Sequence, residues 1–133
     1  MIAALEAKYP VWISDVNTKI ENELMIEQIG AIVQKPQQAL LIISKIQQTF
    51  SKLKCLSSDL SVAYFIWKDP WMVAASNTFI QEMLIENEWS NVFEHKERYP
   101  IISIEELITA NPEVIFLSSE PYPFKNKHIE EVA

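Results

Sequence analysis

Four tryptophans are many for a chain of 133 residues, and two of them bracket one short stretch, Trp67-Lys68-Asp69-Pro70-Trp71. Aromatic faces are well suited to grip a large, flat, partly apolar ligand. The stretch follows an apolar, β-branched and aromatic run, Ser61 to Trp67, that reads as a buried strand. In open parallel α/β sheets, ligands sit beyond the carboxyl ends of the strands. Trp67 and Trp71 are therefore candidate ligand-facing residues, although Trp67 continues the strand and equally fits the core. Tyr99, just ahead of Pro100, lies in a second loop expected to reach the same edge. The loop after the next strand, Ser118 to Phe124, is a third candidate wall and carries Tyr122. Trp12 and Trp89 read as packing residues.

Glu105 stands in the turn Ser103-Ile104-Glu105-Glu106. The spacing gives Glu106 the reach back to a Ser103 cap, which leaves Glu105 one residue earlier on a helix N-terminus. Either both acids merely favour the helix dipole, or Glu105 is an exposed carboxylate available to an external arginine. The remaining reactive side chains form no constellation. His95 and His128 have no partner at metal-ligand spacing and read as solvated. Cys55 is alone, so no disulfide and no CxxC site can form, and it reads as half-buried at a helix end. A Ser-His-Asp or Cys-His arrangement is not suggested, and catalysis finds no support. Metal and cofactor are expected to be absent. A single glycine, Gly30, excludes the Gly-rich phosphate loops of nucleotide enzymes.

The elements that would position these residues follow from periodicity and caps. Val11 to Ser14, after Pro10, is expected to form a short buried strand. Thr18 with Glu21 is a capping-box pattern, and Ile20, Leu24, Ile29 and Ile32 keep helical spacing behind it. Pro36 suits the first position of a second helix, running to Lys54 with Ala39, Ile43, Ile46, Phe50 and Leu53 as its apolar stripe. A third helix is expected from Thr78, capped with Gln81, burying Phe79, Ile80, Met83 and Leu84. Asn87 to Glu97 reads as loop with an extended piece at Val92-Phe93. Ser103 opens a helix through Ala110, Glu113 to Ser118 reads as a second buried strand, and a last helix starts near Asn126. Strands alternating with helices imply an α/β fold with a parallel sheet and helices on both faces. Three strands are few for such a sheet, so the chain is read as incomplete.

Composition narrows the partners. The hydrophobic share of 49% and charged share of 22% allow a core. The net charge of −7, with no cluster among the 11 basic residues, argues against nucleic acid. Apolar runs such as Ala39 to Ile43 are far below the roughly 20 residues of a membrane span, and no export signal is read at the start of the chain.

Several blocks together resemble a known family. Tyr64-Phe65-Ile66-Trp67-Lys68-Asp69-Pro70-Trp71-Met72, Asn77-Thr78-Phe79-Ile80, Asn91-Val92-Phe93, Arg98-Tyr99-Pro100 and Ser118-Ser119-Glu120-Pro121-Tyr122-Pro123-Phe124 with His128 look like the C-terminal lobe of periplasmic substrate-binding proteins of ABC transporters, of the cobalamin and iron-chelate type. Pro10 to Ser14 and the two following helices are similar to the family's passage from the N-terminal lobe into its long linking helix. The resemblance implies a two-lobed fold, here incomplete: residues 1–34 ending the N-terminal lobe, 35–57 the linking helix, and 58–133 most of the ligand-binding C-terminal lobe. It implies a corrinoid, haem or ferric siderophore as ligand, ABC permease subunits as partners, and a periplasmic or cell-envelope location. Trp71 and Tyr99 match the ligand-facing loop positions best, and Glu105 matches the exposed permease-docking glutamate. Glycines usual after Met72 and before the Asn-Val-Phe block are replaced by Val73-Ala74-Ala75-Ser76-Asn77 and Glu88-Trp89-Ser90. The alternative is an interaction domain that keeps the fold, has lost ligand binding, and self-associates through an exposed sheet edge.

Overall fold

The computed structural model describes residues 2–53 and 60–132. The order is α1 (Ile2–Glu6), α2 (Lys19–Ile32), α3 (Pro36–Phe50), β1 (Ser61–Trp67), β2 (Met72–Val73), α4 (Phe79–Glu86), β3 (Ser90–Asn91), α5 (Ile104–Ala110), β4 (Val114–Leu117) and α6 (Asn126–Ile129). Cys55, and the end of the expected linking helix from Lys54 to Ser57, lie outside the described residues.

β1 organises the sheet. Its run of β-branched and aromatic residues suits a strand covered on both faces, and Val62, Ala63 and Phe65 are fully buried. β4 lies parallel beside it, from Val62 opposite Val114 to Phe65 opposite Leu117. On its other side β3 pairs in parallel at Ser61 and Val62, and β2 pairs antiparallel at Phe65 and Trp67. The sheet is therefore mixed rather than wholly parallel. β2 was not expected, because Trp71 to Asn77 reads locally as loop. It forms because the chain doubles back through the turn 68–71 and lays Met72 and Val73 against Trp67 and Phe65. The expected extended piece at Val92-Phe93 falls two residues earlier, at Ser90-Asn91.

Helices cover both faces. On one, Ala63, Phe65 and Val73 pack with Phe93, Ile102 and Leu107, and Ile115 and Leu117 of β4 close on them. On the other, Ile80, Met83 and Leu84 of α4 face Tyr64, Phe116 and Trp89. Trp89 stacks on Phe116 at 5.3 Å, the packing role expected of it. Phe79 departs from expectation and is 38% exposed. The α4 cap is half of the box anticipated: Thr78 Oγ1 accepts from Gln81 N at 3.1 Å, but the Gln81 side chain bonds Asn91 instead.

The α2–α3 hairpin forms from local signals. Thr18 and Glu21 make both bonds of the capping box, Pro36 occupies the first turn of α3, and Gly30 meets Ala39 where the helices touch. α3 ends at Phe50 rather than continuing helically to Lys54. The α2 stripe is not buried: Ile20, Leu24, Ile29 and Ile32 are all exposed, because α3 meets α2 along a different line, through Gly30. The expected strand at Val11–Ser14 is likewise corrected. The segment has no strand pairing, and Val11, Trp12 and Ile13 are exposed, since no described strand lies alongside to accept its backbone. Trp12 is held by its indole N–H, which donates to Gln28 Oε1 at 3.1 Å, rather than by packing in a core.

Candidate functional site

Two loops leave the carboxyl ends of β1 and β4, and their aromatic side chains form one braced group. Trp67 meets Tyr122 edge-on at 5.5 Å, Tyr122 meets Phe124 at 4.7 Å, and Phe124 stacks on Trp71 at 6.2 Å. Trp71 also sets its ring edgewise against buried Phe65, with Lys68 Nζ 5.2 Å from its centroid. Three of the four aromatic candidates, Trp67, Trp71 and Tyr122, are thus brought together. Trp71 is partly a core residue, because neighbours already occupy its ring, whereas Trp67 keeps 38% of its surface exposed.

His128 belongs to the same group, and here the sequence expectation fails. It is 3% exposed rather than solvated, because Tyr122 and Phe124 close over it from the preceding loop. Its Nδ1 accepts from Lys125 N at 2.9 Å. Desolvation holds its imidazole below the ordinary 6.5, with Lys127, Lys68 and Lys125 adding to the effect and Glu131, paired with Lys68, opposing it. The unfolded chain thus takes up a proton before the folded one. Stability from this group is complete above pH 6.5 and is lost as pH falls through the lowered folded value. Urea unfolding should give a lower midpoint at acid pH than at neutral pH, and the difference should shrink in His128→Gln. An unchanged pH slope in the variant would remove His128 from the account.

Tyr99 stands apart from this brace, 39% exposed and without a ring contact among the described residues. Its place is set by backbone pairing. Ala75 N donates to Arg98 O at 2.8 Å, Val73 N to Pro100 O at 3.2 Å, and Ile102 N to Trp71 O at 3.0 Å. The segments 71–76 and 97–102 therefore run side by side, and Tyr99 projects from the second next to the strand that follows Trp71. Three residues of these loops hold left-handed backbone, Asp69, Asn77 and Arg98 (φ 62°, 56° and 57°), a conformation that costs a non-glycine residue about 1–2 kcal/mol. Glu88, between α4 and β3, also has positive φ, at 58°.

A polar cleft of about 720 Å³, whose lining runs as far as Arg98 and does not include Tyr99, opens between the N-terminus of α2 and the loops around α4. Asn17, Thr18 and Glu21 form one wall. Ser76, Asn77, Thr78, Gln81 and Glu82 form the second, and Glu94, His95, Glu97 and Arg98 the third. Its size falls within the roughly 300–1,000 Å³ of small-molecule sites. The walls are tied together across the chain: Lys19 N donates to Glu82 Oε1 at 3.3 Å, and Lys19 Nζ pairs with Glu86. None of these lining residues was singled out as a site residue from sequence. The available signal was the cluster of short polar residues at two helix starts, Asn17-Thr18 and Ser76-Asn77-Thr78, which reads locally only as capping.

Glu105 lies on the exposed first turn of α5. Its own backbone amide and the Ser103 hydroxyl hold its carboxyl below the ordinary 4.5, with desolvation opposing them. Glu106 completes the capping box and pairs with Lys96 at 2.6 Å, whereas no described cation pairs with Glu105. Among the described residues there is no group of His, Cys, Asp and Glu able to hold a metal ion, and no helix long and apolar enough to cross a membrane.

A family model described as periplasmic binding protein matches residues 2–133. Solved structures share the fold. A possible iron-binding, periplasmic solute-binding protein from Staphylococcus epidermidis superposes with a TM-score of 0.81 at 19% identity, over 98% of this chain and 53% of that one. The periplasmic vitamin B12 binding protein of Vibrio cholerae gives 0.75 at 20% identity, over 98% and 54%. The periplasmic heme binding protein of the same organism gives 0.77 at 19%, over 98% and 55%. The chain spans about half the length of these structures. No curated protein sequence matches it.

Proposed function

The chain belongs to the periplasmic binding protein family, a solute-binding rather than an enzymatic class, and we propose that it serves an ABC-type importer by capturing a corrinoid or iron chelate. The observation that carries this reading is the cleft of about 720 Å³ at the meeting of α2 with the segments around α4, reaching Arg98. In this reading residues 1–34 close a first lobe, 35–57 link, and 58–133 supply the capturing lobe. None of the aromatic candidates lines the cleft; in this reading Tyr99, Trp67 and Trp71 meet the part of a ligand that extends beyond it, and Tyr122 braces Trp67. Glu105, charged and unpaired by any described cation, presents a carboxylate to arginines of the permease. That work lies outside the cytoplasmic membrane, in keeping with the family.

Titration followed by tryptophan fluorescence, with cyanocobalamin, haemin and a ferric siderophore, tests the reading. Saturable quenching by one of them is expected. Tyr99→Ala should weaken it between about twofold and tenfold, the scale of one aromatic contact of about 0.5–1.5 kcal/mol. Trp71→Ala should weaken it too, and also lower stability, because Phe65 and Phe124 lose their partner. Glu105→Gln should leave capture unchanged and reduce association with permease-containing vesicles. Silence with all three ligands from a folded chain would defeat the proposal.

A further inference from the structure

We infer that the cleft selects an uncharged or cationic, donor-rich chelate over an anionic one, an inference that rests on the cleft being the ligand seat proposed above. Four carboxylates line it, Glu21, Glu82, Glu94 and Glu97, against one guanidinium, Arg98. With His95 neutral the lining carries a net charge of −3, that is one positive less four negative. Two lysines adjoining this lining in sequence do not offset it. Lys19 pairs with Glu86 and Lys96 with Glu106, neither of which lines the cleft.

Two consequences follow for a ligand. A concave wall of net negative charge focuses its field into the space it encloses, so an anionic chelate is repelled where it must bind. Hydrogen bonding points the same way. Ionised carboxylates only accept, and an acceptor that a bound ligand strips of water and leaves unmet costs free energy. The wall therefore asks for N–H donors. The carboxamide fringe of a corrinoid supplies them without net charge, and a hydroxamate siderophore with a free ammonium supplies them with positive charge. The propionates of haem and the ionised oxygens of a ferric catecholate bring acceptors and negative charge instead. Part of the lining is already committed: Glu21 accepts from the amides of Asn17 and Thr18 at 2.8 and 3.0 Å, and Glu82 from that of Lys19. Glu94 and Glu97 are exposed, as Glu21 is, and share one wall; Glu97 accepts only a long bond, from Asn77 Nδ2 at 3.5 Å.

Calorimetric titration of the full chain with cyanocobalamin, ferrioxamine B, haemin and ferric enterobactin, at low and at physiological salt, tests the inference. One of the first two should bind about tenfold or more tighter than either anion, with the gap narrowing as salt rises. Which of the two binds distinguishes a corrinoid from a hydroxamate. Glu94→Gln with Glu97→Gln should close the gap about threefold or more. Glu6→Gln with Glu27→Gln, the same charge change away from the cleft, should leave it as it was. Tighter binding of haemin or ferric enterobactin, or a gap indifferent to Glu94 and Glu97, overturns the inference and leaves ligand capture standing. No binding of any probe by the folded chain overturns both.

Discussion

Gly30→Ala is expected to destabilise the chain by roughly 1–3 kcal/mol, the cost of overpacking a tight contact, although alanine is the better helix former by about 1 kcal/mol. The sign is decided by space. A Cβ on Gly30 would stand 2.5 Å from Ala39 Cβ, and both atoms are fixed to their helices with no torsion to relieve them. Lys35 O at 3.4 Å and Pro36 Cα at 3.6 Å crowd the same site from the α2–α3 turn. The helices must separate or shear, and Ala39, 4% exposed, loses its cover. Urea unfolding of Gly30→Ala, Ala39→Gly and the double variant makes the test, because residues in contact show coupling. The double variant should recover much of what Gly30→Ala loses, against a helix-propensity cost of about 1 kcal/mol at position 39. A neutral or stabilising Gly30→Ala would mean that the two helices do not approach this closely.

Asn91→Ala should cost on the order of 3 kcal/mol, because each buried partner left unsatisfied costs about 1–3 kcal/mol and the terms do not add fully. Asn91 is 3% exposed. Its Nδ2 donates to Ala74 O at 2.9 Å and to Gln81 Oε1 at 2.7 Å, and its Oδ1 accepts from Phe93 N at 3.0 Å. One side chain thus joins the strand after Trp71, the first turn of α4 and the turn carrying Phe93. Asn91→Asp keeps the acceptor but sets a carboxylate against the Ala74 carbonyl, so it should be no milder than alanine. Because Ala74 and Gln81 support the cleft wall at Ser76 to Thr78, ligand capture should weaken in both variants. A cost well under 1 kcal/mol would show that this junction is held by something other than Asn91.

The aromatic group beyond the strand ends was legible in part. Trp67, Trp71 and Tyr122 could be named because they follow strands whose apolar runs are plain, and ligands gather beyond strand ends. That Trp71 is half absorbed into the core could not be foreseen, since Phe65 and Phe124 reach it from positions 6 residues before and 53 after. His128 read as solvated because it has no partner at metal-ligand spacing, whereas its neighbours in space are the rings of Tyr122 and Phe124. Glu105 was placed correctly on its helix because Ser103 and Glu106 announce the cap. The cleft itself was invisible: its walls come from α2 and from the loops around α4, joined by Lys19 to Glu82 and Glu86 across 63 and 67 residues.

By itself the sequence determined the elements whose causes are local: the capping boxes at Thr18 and Ser103, Pro36 opening α3, and the β-branched runs of β1 and β4. Such signals act within a turn or two of chain, so they survive in a linear reading. Tertiary structure decided the rest. It turned Met72-Val73 into an antiparallel strand, moved a parallel pair to Ser90-Asn91, and left Val11–Ser14 without a partner. It also gave the chain's one glycine its purpose, against Ala39 of the neighbouring helix. Pairing, close approach and burial are properties of residues that meet only after the chain has folded, and no local pattern of residue types encodes which of them will meet.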